Sequence, residues 1–208
     1  MIVNFRAKKI NRGRFIITLR LGIIRFVFQL ALVQDTLGIA SGEPFKSPQV
    51  LFWDFINTPK YLIERSLRHI QFKFNLGNIY LFQSGNRNSF RAICIDLIPL
   101  EQAQTIIMQT NYVDKEFVKY FLTYGYKTIR VIEKSRDKEP NYFVRVLNST
   151  TEYRYVKYIK SNCHALHLLK LGVIMQQEYD YLDNHGYLDN SKPQDLIIEL
   201  YETQYRGK

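Results

Sequence analysis

Residues 50–98, VLFWDFINTPKYLIERSLRHIQFKFNLGNIYLFQSGNRNSFRAICIDLI, alternate between strand-like and helix-like patterns. Three apolar runs in this segment have the length and the β-branched and aromatic content of strands: Val50–Ile56, Ile79–Phe82 and Phe90–Leu97. The polar residues 84–88 are predicted to join the last two runs as a hairpin turn. Between the first two runs, apolar residues recur at helical spacing from Leu62 to Phe74, which predicts a helix.

The residues that follow extend this alternation. Two helices are predicted to begin at Pro59 and Pro99, with Thr58 as the N-cap of the first. A third helix and two more strands are predicted over Val113–Tyr124, Lys127–Glu133 and Tyr142–Leu147. The order predicts an α+β fold with a ferredoxin/RRM-like β-α-β-β-α-β core over residues 50–150.

Alternation along the strands assigns residues to the two faces of the predicted sheet. One face is apolar and is expected to meet the helices: Leu51, Trp53, Phe55, Ile79, Leu81, Ile93, Ile95, Ile129 and Val131. The other face is expected to carry Asp54, Tyr80, Phe82, Phe90, Asp96, Thr128 and Arg130. An open sheet face with aromatic and basic residues is typical of single-stranded nucleic-acid binding, so Tyr80, Phe82 and Phe90 are predicted to stack on bases. The alternative is a second core, covered by N-terminal strands.

Residues 1–49 are predicted to form a basic arm followed by a strand pair. The arm, residues 6–14, contains five basic residues that could contact phosphates: Arg6, Lys8, Lys9, Arg12 and Arg14. The other interpretation of the arm is a solvated terminus. The apolar segment Phe15–Val33 contains two arginines, each of which costs about 2.5–3.5 kcal/mol at the centre of a membrane span. It is therefore interpreted as two strands, or a strand pair bent at Gly22, and no membrane span is predicted.

The charge distribution predicts a polyanionic partner. The net charge is +10, and residues 1–150 carry 22 Lys and Arg against 11 Asp and Glu, whereas residues 151–208 carry 7 against 8. A basic body of this kind is typical of nucleic-acid-binding proteins. The core residues expected to hold phosphates are Arg87, Arg91, Lys127 and Arg130. Two cysteines without a disulfide framework favour a reducing, cytoplasmic or other intracellular compartment, which is the host cell if the source is viral.

Residues 151–208 are predicted to form a helical and loop extension. Helices are expected over Glu152–Asn162 and Ala165–Gln176, and a strand or short helix over Asp195–Thr203. The sequence YLDN occurs at residues 181–184 and 187–190 and is interpreted as two similar turns. The C-H-x-x-H cluster at residues 163–167 lacks the second ligand pair of a zinc site, so no metal site is predicted.

Three segments resemble the archaeo-eukaryotic primase family: Leu51–Ile56, Ser84–Phe90 and Thr128–Arg130. The resemblance covers residues 50–147 and implies an RRM-like core. That family carries Asp-x-Asp on the first strand, a Ser-Gly…His segment on the hairpin and a further Asp on a later strand, and adds nucleotides with two metal ions. Here Asp54 matches the first acid, but Ile56 replaces the second and Phe90 lies near the expected His. The resemblance therefore implies a primase-like module without polymerase activity.

The sequence leaves three functions open. The favoured one is a nucleic-acid-binding, replication-associated protein of a virus, plasmid or other mobile element, with no catalytic residues and no cofactor. The second is an active metal-dependent nucleotidyltransferase or nuclease, with Asp54 and Asp96 as ligands of Mg²⁺ or Mn²⁺. The third is a structural or protein-interaction role in which the basic charge is incidental. The sequence does not determine the oligomeric state or the choice between DNA and RNA.

Overall fold

The computed structural model describes residues 3–11, 14–21, 24–31, 35–83, 88–130, 142–149, 157–190 and 197–201, with side chains at 40–83, 88–127, 142–149 and 157–190. The chain divides into two compact units, Met1–Thr36 with Glu199–Lys208, and Leu37–Ile198. Residues 37–49 and 157–190 therefore belong to the same unit as the predicted core, although the predicted boundaries lie at 49/50 and 150/151.

The first unit contains a three-stranded antiparallel sheet in the order β1-β2-β3. The strands are β1 (Val3–Asn11), β2 (Arg14–Leu21) and β3 (Ile24–Ala31). The pair of β2 and β3 confirms the two strands predicted in Phe15–Val33, while Gly22 lies outside the described residues. The predicted arm is wrong for most of its length, because residues 6–11 belong to β1. Apolar and polar residues alternate from Val3 to Lys8 in β1, and this period of two is the pattern of a strand with two different faces.

The second unit is built on a four-stranded antiparallel sheet in the order β5-β7-β6-β9. Its strands are β5 (Gln49–Phe55), β6 (Ile79–Gln83), β7 (Phe90–Ile98) and β9 (Tyr142–Leu147). A smaller antiparallel pair in this unit joins residues 38–40 of β4 (Asp35–Ala40) to β8 (Thr128–Arg130). The last strand, β10, covers Ile197–Tyr201. The strand β10 agrees with one of the two interpretations of Asp195–Thr203.

Five helices lie in the described part of the chain. They are α1 (Lys60–Phe74), α2 (Leu100–Gln109), α3 (Lys115–Tyr124), α4 (Asn162–Lys170) and α5 (Gln176–Asn184). The first three confirm the helices predicted after Pro59, after Pro99 and before Gly125. The N-cap of α1 is Pro59 rather than Thr58, because the Thr58 hydroxyl donates to the carbonyl of Ile56 instead of capping the helix. Within the described ranges, no helix has the length and hydropathy needed to cross a membrane.

The strand order differs from the predicted ferredoxin/RRM-like core. The first three strands pair as β5-β7-β6, but the fourth strand of the sheet, β9, pairs with β6 at the far edge. A ferredoxin-like sheet would place it beside the first strand. Near that position, β8 pairs instead with β4, and Ser41 hydrogen-bonds through its backbone to both Lys127 and Val50. The end of β4 therefore lies between β8 and β5. The rest of the predicted strand Lys127–Glu133 lies outside the described residues.

One face of the four-stranded sheet packs against the helices, as predicted for Trp53 and Leu81, which are fully buried. The indole Nε1 of Trp53 donates to Thr110 Oγ1, at the end of α2, over 3.0 Å. The register pairs Trp53 and Leu81 with Ala92, so the alternation predicted along β7 is shifted by one residue. Ile93 therefore shares the opposite face with Tyr80, and the same pairing assigns Phe90 to the helix-covered face.

The opposite face is covered by the C-terminal part of the unit. The rings of Phe52 and His164, on β5 and α4, meet edge to face at 5.6 Å. Leu168, Leu182 and Leu188 belong to the same core as the sheet residues. A covered second face corresponds to the alternative foreseen from the sequence, and within the second unit C-terminal helices supply the cover.

The C-terminal helices have other bounds than predicted. Residues 157–161 of the predicted helix Glu152–Asn162 are not helical, and residues 151–156 lie outside the described ranges. Lys160 instead forms isolated β-bridges with Asp96 and with Leu188. The predicted helix Ala165–Gln176 is also interrupted, because Gly172 adopts a positive φ of 67° between α4 and α5.

Candidate nucleic-acid interface

The three aromatic residues predicted to stack on bases lie in the core. Tyr80, Phe82 and Phe90 are exposed to only 2%, 7% and 4%. Tyr80 and Phe82 belong to the buried core, and the Phe82 ring meets Phe143 of β9 edge to face at 5.7 Å. Phe90 lies on the helix-covered face opposite Phe55. The expected open platform is therefore wrong for this arrangement of the unit, because each ring is already in contact with protein.

Arg91 and Asp54, predicted as a phosphate ligand and a first acid, face each other across β5 and β7. They are directly paired in the register, and Arg91 Nε lies 3.8 Å from Asp54 Oδ1. Both side chains are partly exposed. The Arg91 guanidinium therefore offsets the negative charge of Asp54 at the β5 edge of the four-stranded sheet.

The chain brings α3 to the same edge. The backbone N–H of Asp114 donates to the carbonyl of Asp54 over 2.8 Å, and the Asp114 carboxylate then caps α3 by accepting from the N–H of Phe117. At the other end of α3, Gly125 has a φ of 70°, and a Cβ there would lie 2.7 Å from the backbone nitrogen of Phe45. A glycine is required at this position, and the chain then turns back toward Lys127.

These contacts form a cleft of about 380 Å³ in which acids, cations and aromatic rings meet. The residues that line it are Asp54, Asp114, Glu116, Phe117, Lys119, Tyr120, Thr123, Tyr124 and Lys127. This volume lies within the range of small-molecule sites, about 300–1,000 Å³. Among the residues predicted to hold phosphates whose side chains are described, Lys127 lines this cleft and Arg91 does not.

The pKa values of an acid and a base in the cleft, Asp54 and Lys127, are shifted in opposite directions. Burial raises the pKa of Asp54, while Arg91 and Lys127 oppose that rise. Burial lowers the pKa of Lys127, and the carboxylates of Asp54 and Asp114 oppose that fall. Partly desolvated acids and bases within one cleft are a common feature of functional sites.

An aromatic cluster lies beside these charges. The Lys127 ammonium lies 4.1 Å from the centroid of the Tyr120 ring and 5.3 Å from that of Phe117, which are cation–π distances. The Tyr120 and Tyr124 rings lie 4.4 Å apart at 44°. Burial, together with hydrogen bonding to Tyr126, raises the pKa of Tyr120 to about 12, so its hydroxyl stays neutral at physiological pH. These tyrosines were not predicted as site residues, although their i, i+4 spacing on a predicted helix places them on one face.

The two acids of the enzyme hypothesis are not brought together. Arg91 pairs with Asp54, and Asp96 lies five residues further along β7, about 16 Å at the rise of a strand. Asp96 is buried, accepts from the N–H of Gly77 and lies 3.3 Å from Lys160 Nζ. Two-metal chemistry places its ions about 3.5–4 Å apart, so this pair of carboxylates does not form such a site.

The C-H-x-x-H cluster is part of the core packing. His164 Nε2 donates to the carbonyl of Ala40, and Nδ1 accepts from the hydroxyl of Ser161. Burial lowers the pKa of His164 to about 4, which keeps the ring neutral. Among the residues whose side chains are described, no group of three or more His, Cys, Asp and Glu is arranged to hold a metal ion.

Basic residues gather on one face of the first unit. The register places Arg6 opposite Thr18, and Arg20 opposite both Asn4 and Arg25. Directly paired residues share a face, and residues alternate along each strand. Five basic positions, called here the basic face, share one side of the sheet: Arg6, Lys8, Arg14, Arg20 and Arg25.

The other side of this sheet has a different composition. Its positions are Val3, Phe5, Ala7, Lys9, Phe15, Ile17, Leu19, Leu21, Ile24, Phe26, Phe28 and Leu30. Lys9, which was predicted to act with Lys8, therefore lies on the apolar side. Arg20 and Arg25 were missed as binding residues, because their segment was considered only as a membrane or strand candidate. Arg12 and Arg87 lie outside the described residues, as does the side chain of Arg130.

Comparisons with protein-family models, with curated proteins and with solved structures found no match to this chain. The resemblance to the primase family therefore stays a prediction.

Proposed function

We propose that this protein binds single-stranded nucleic acid, and that the basic face of the first unit makes the phosphate contacts. The observation that carries this proposal is the register of the first sheet, which assigns five basic positions to one side. Residues 1–34, which include all three strands of this sheet, contain no Asp or Glu, and the rest of the first unit adds only Asp35, Glu199 and Glu202. Clustered positive charge on one surface is the electrostatic footprint of nucleic-acid binding.

The dimensions of the basic face suit a polyanionic strand. It extends over three neighbouring strands, about 10 Å across, and from Arg14 to Arg20, about 20 Å along β2. A surface of this length can contact several consecutive phosphates. Such contacts release counterions, so the affinity is expected to fall steeply with salt.

The replication context comes from the resemblance to the primase family. We propose a primase-like module without polymerase activity, because Ile56 stands at the second acid and Asp96 is engaged by Lys160 far from Asp54. A ferredoxin/RRM-like relationship of the core belongs to the same proposal. Its support is limited to the pairing β5-β7-β6, which follows the first three strands of that pattern.

The experiment that tests the binding proposal compares neighbouring lysines on opposite sides of β1. Lys8→Gln and Lys9→Gln remove the same charge, but only the first changes the basic face. Affinity for a labelled single-stranded oligonucleotide is measured over a series of salt concentrations. Lys8→Gln is expected to lower the affinity and to reduce the salt slope by about 0.7, the value of one single-strand phosphate contact. Lys9→Gln is expected to leave the slope unchanged.

A triple variant is expected to give a larger change in the salt slope. Replacing Arg14, Arg20 and Arg25 together with glutamine is expected to reduce the salt slope by about 2. The matched control removes three exposed charges of the second unit, Lys46, Lys60 and Lys170. Equal effects of the two triple variants would show that binding depends on net charge alone and would overturn the assignment to the basic face. Absence of binding at low salt would overturn the nucleic-acid proposal and favour an interaction protein.

A further inference from the structure

The α3 cleft, defined by the nine lining residues given above, contains two tyrosines that are open to solvent. Tyr120 and Tyr124 are 38% and 47% exposed, in contrast to the buried aromatic residues of the sheet. They are one helical turn apart on α3 and lie against each other. The Lys127 ammonium occupies a position over the Tyr120 ring, so Tyr124 is the more accessible stacking surface.

The polar groups beside these rings form a mixed set. Two acidic residues, Asp54 and Asp114, and two basic residues, Lys119 and Lys127, line the same cleft. The cleft therefore offers hydrogen-bond acceptors and donors next to an aromatic wall. A nucleobase has the complementary form, because it combines a flat π-surface with donors and acceptors along its edge.

The acids also determine which part of a strand fits. A phosphate in the cleft would lie against the negative charges of Asp54, Asp114 and Glu116, which repel it. Carboxylates instead accept hydrogen bonds from exocyclic amino groups of bases, as in the pairing of Asp or Glu with cytosine. The cleft thus favours a base over the phosphate that carries it.

We propose that the α3 cleft holds one unstacked base of a bound single strand. The base stacks on Tyr124, and its edge meets Asp54 and Lys127. This proposal rests on the proposed function, since the strand that supplies the base is the one bound by the protein. It assigns base contact to the second unit, in a different place from the buried Tyr80, Phe82 and Phe90.

The experiment uses two labelled probes of about 12 nucleotides, a length within known single-strand site sizes. One is a mixed-sequence DNA strand and the other is an abasic strand with the same number of phosphates. Tyr124→Ala is expected to weaken binding of the DNA strand by about 5- to 150-fold, the range for loss of one stacked base, and to leave the abasic strand unchanged. Tyr124→Phe keeps the ring and is expected to bind both strands like the original protein.

The matched control is Tyr142→Ala, which removes an exposed tyrosine from β9 at the far edge of the sheet. It is expected to change neither affinity. The base proposal is overturned if Tyr124→Ala binds the DNA strand as tightly as the original protein does. It is also overturned if Tyr124→Ala lowers the affinity for the abasic strand as much as the affinity for the DNA strand. Phosphate binding stands in either case. If the original protein binds neither probe at low salt, the proposed function fails, and the base proposal fails with it.

Discussion

Replacement of Lys160 tests how the C-terminal segment is held over the sheet. The Lys160 and Asp96 side chains are 7% and 2% exposed, and Nζ lies 3.3 Å from Oδ1. At an effective dielectric constant of about 20, two unit charges at this distance attract by about 5 kcal/mol. Removing one partner of a buried pair leaves the other charge without compensation, which costs about 3–5 kcal/mol. Lys160→Met is therefore expected to lower the free energy of unfolding by that amount.

The double variant separates charge from packing. Asn at position 96 can still accept from the N–H of Gly77, the second contact of the Asp96 carboxylate. Asp96→Asn combined with Lys160→Met leaves no buried charge, so it is expected to lose much less than the sum of the two single variants. Urea unfolding followed by fluorescence measures all four proteins, because Trp53 is the only tryptophan and lies in the same core.

The control removes a lysine from an exposed ion pair. Lys46 pairs with Glu43 at the surface, and Lys46→Met is expected to change the free energy of unfolding by less than about 1 kcal/mol. A loss of less than about 1 kcal/mol for Lys160→Met would refute the reasoning. Additive losses in the double variant would also refute it, because they would show that the two side chains do not interact.

Three further predictions concern the core and the enzyme hypothesis. Trp53→Ala is expected to lower the free energy of unfolding by about 3–5 kcal/mol, measured by circular dichroism during urea unfolding. Phe72→Ala, at an exposed site, is expected to change it little, and equal effects would contradict the assigned core. The pKa of His164 is about 4 in the folded protein and 6.5 ordinarily, so the unfolded chain takes up a proton at a higher pH than the folded protein. The free energy of unfolding is therefore expected to fall by about 3 kcal/mol as the pH drops from 6.5 to 4. His164→Gln should lack most of this fall, and an unchanged pH profile would contradict it. No nucleotide incorporation is expected with Mg²⁺ or Mn²⁺, and incorporation abolished by Asp54→Ala would establish the enzyme alternative.

Local signals in the sequence were sufficient for much of the second unit. The helix starts at Pro59 and Pro99 were predicted to within one residue and the helix end at Gly125 was predicted correctly, because each depends on backbone geometry within a few residues. The apolar runs of β5, β6 and β7 were also recognised, since strand-forming composition is read within one segment. The excess of basic residues is a property of the sequence alone.

The candidate sites depended on contacts between distant segments. Only the pairing of β1, β2 and β3 places Arg20 on the same face as Arg6, and only the contact between Asp54 and Asp114 brings α3 to the sheet edge. The sequence of β6 also does not show that Tyr80 is buried. A period of two shows that a strand has an apolar face, but the hydrophobic effect has no direction. Segments from either end of the chain can therefore cover that face, and the tertiary structure decides which segment does so.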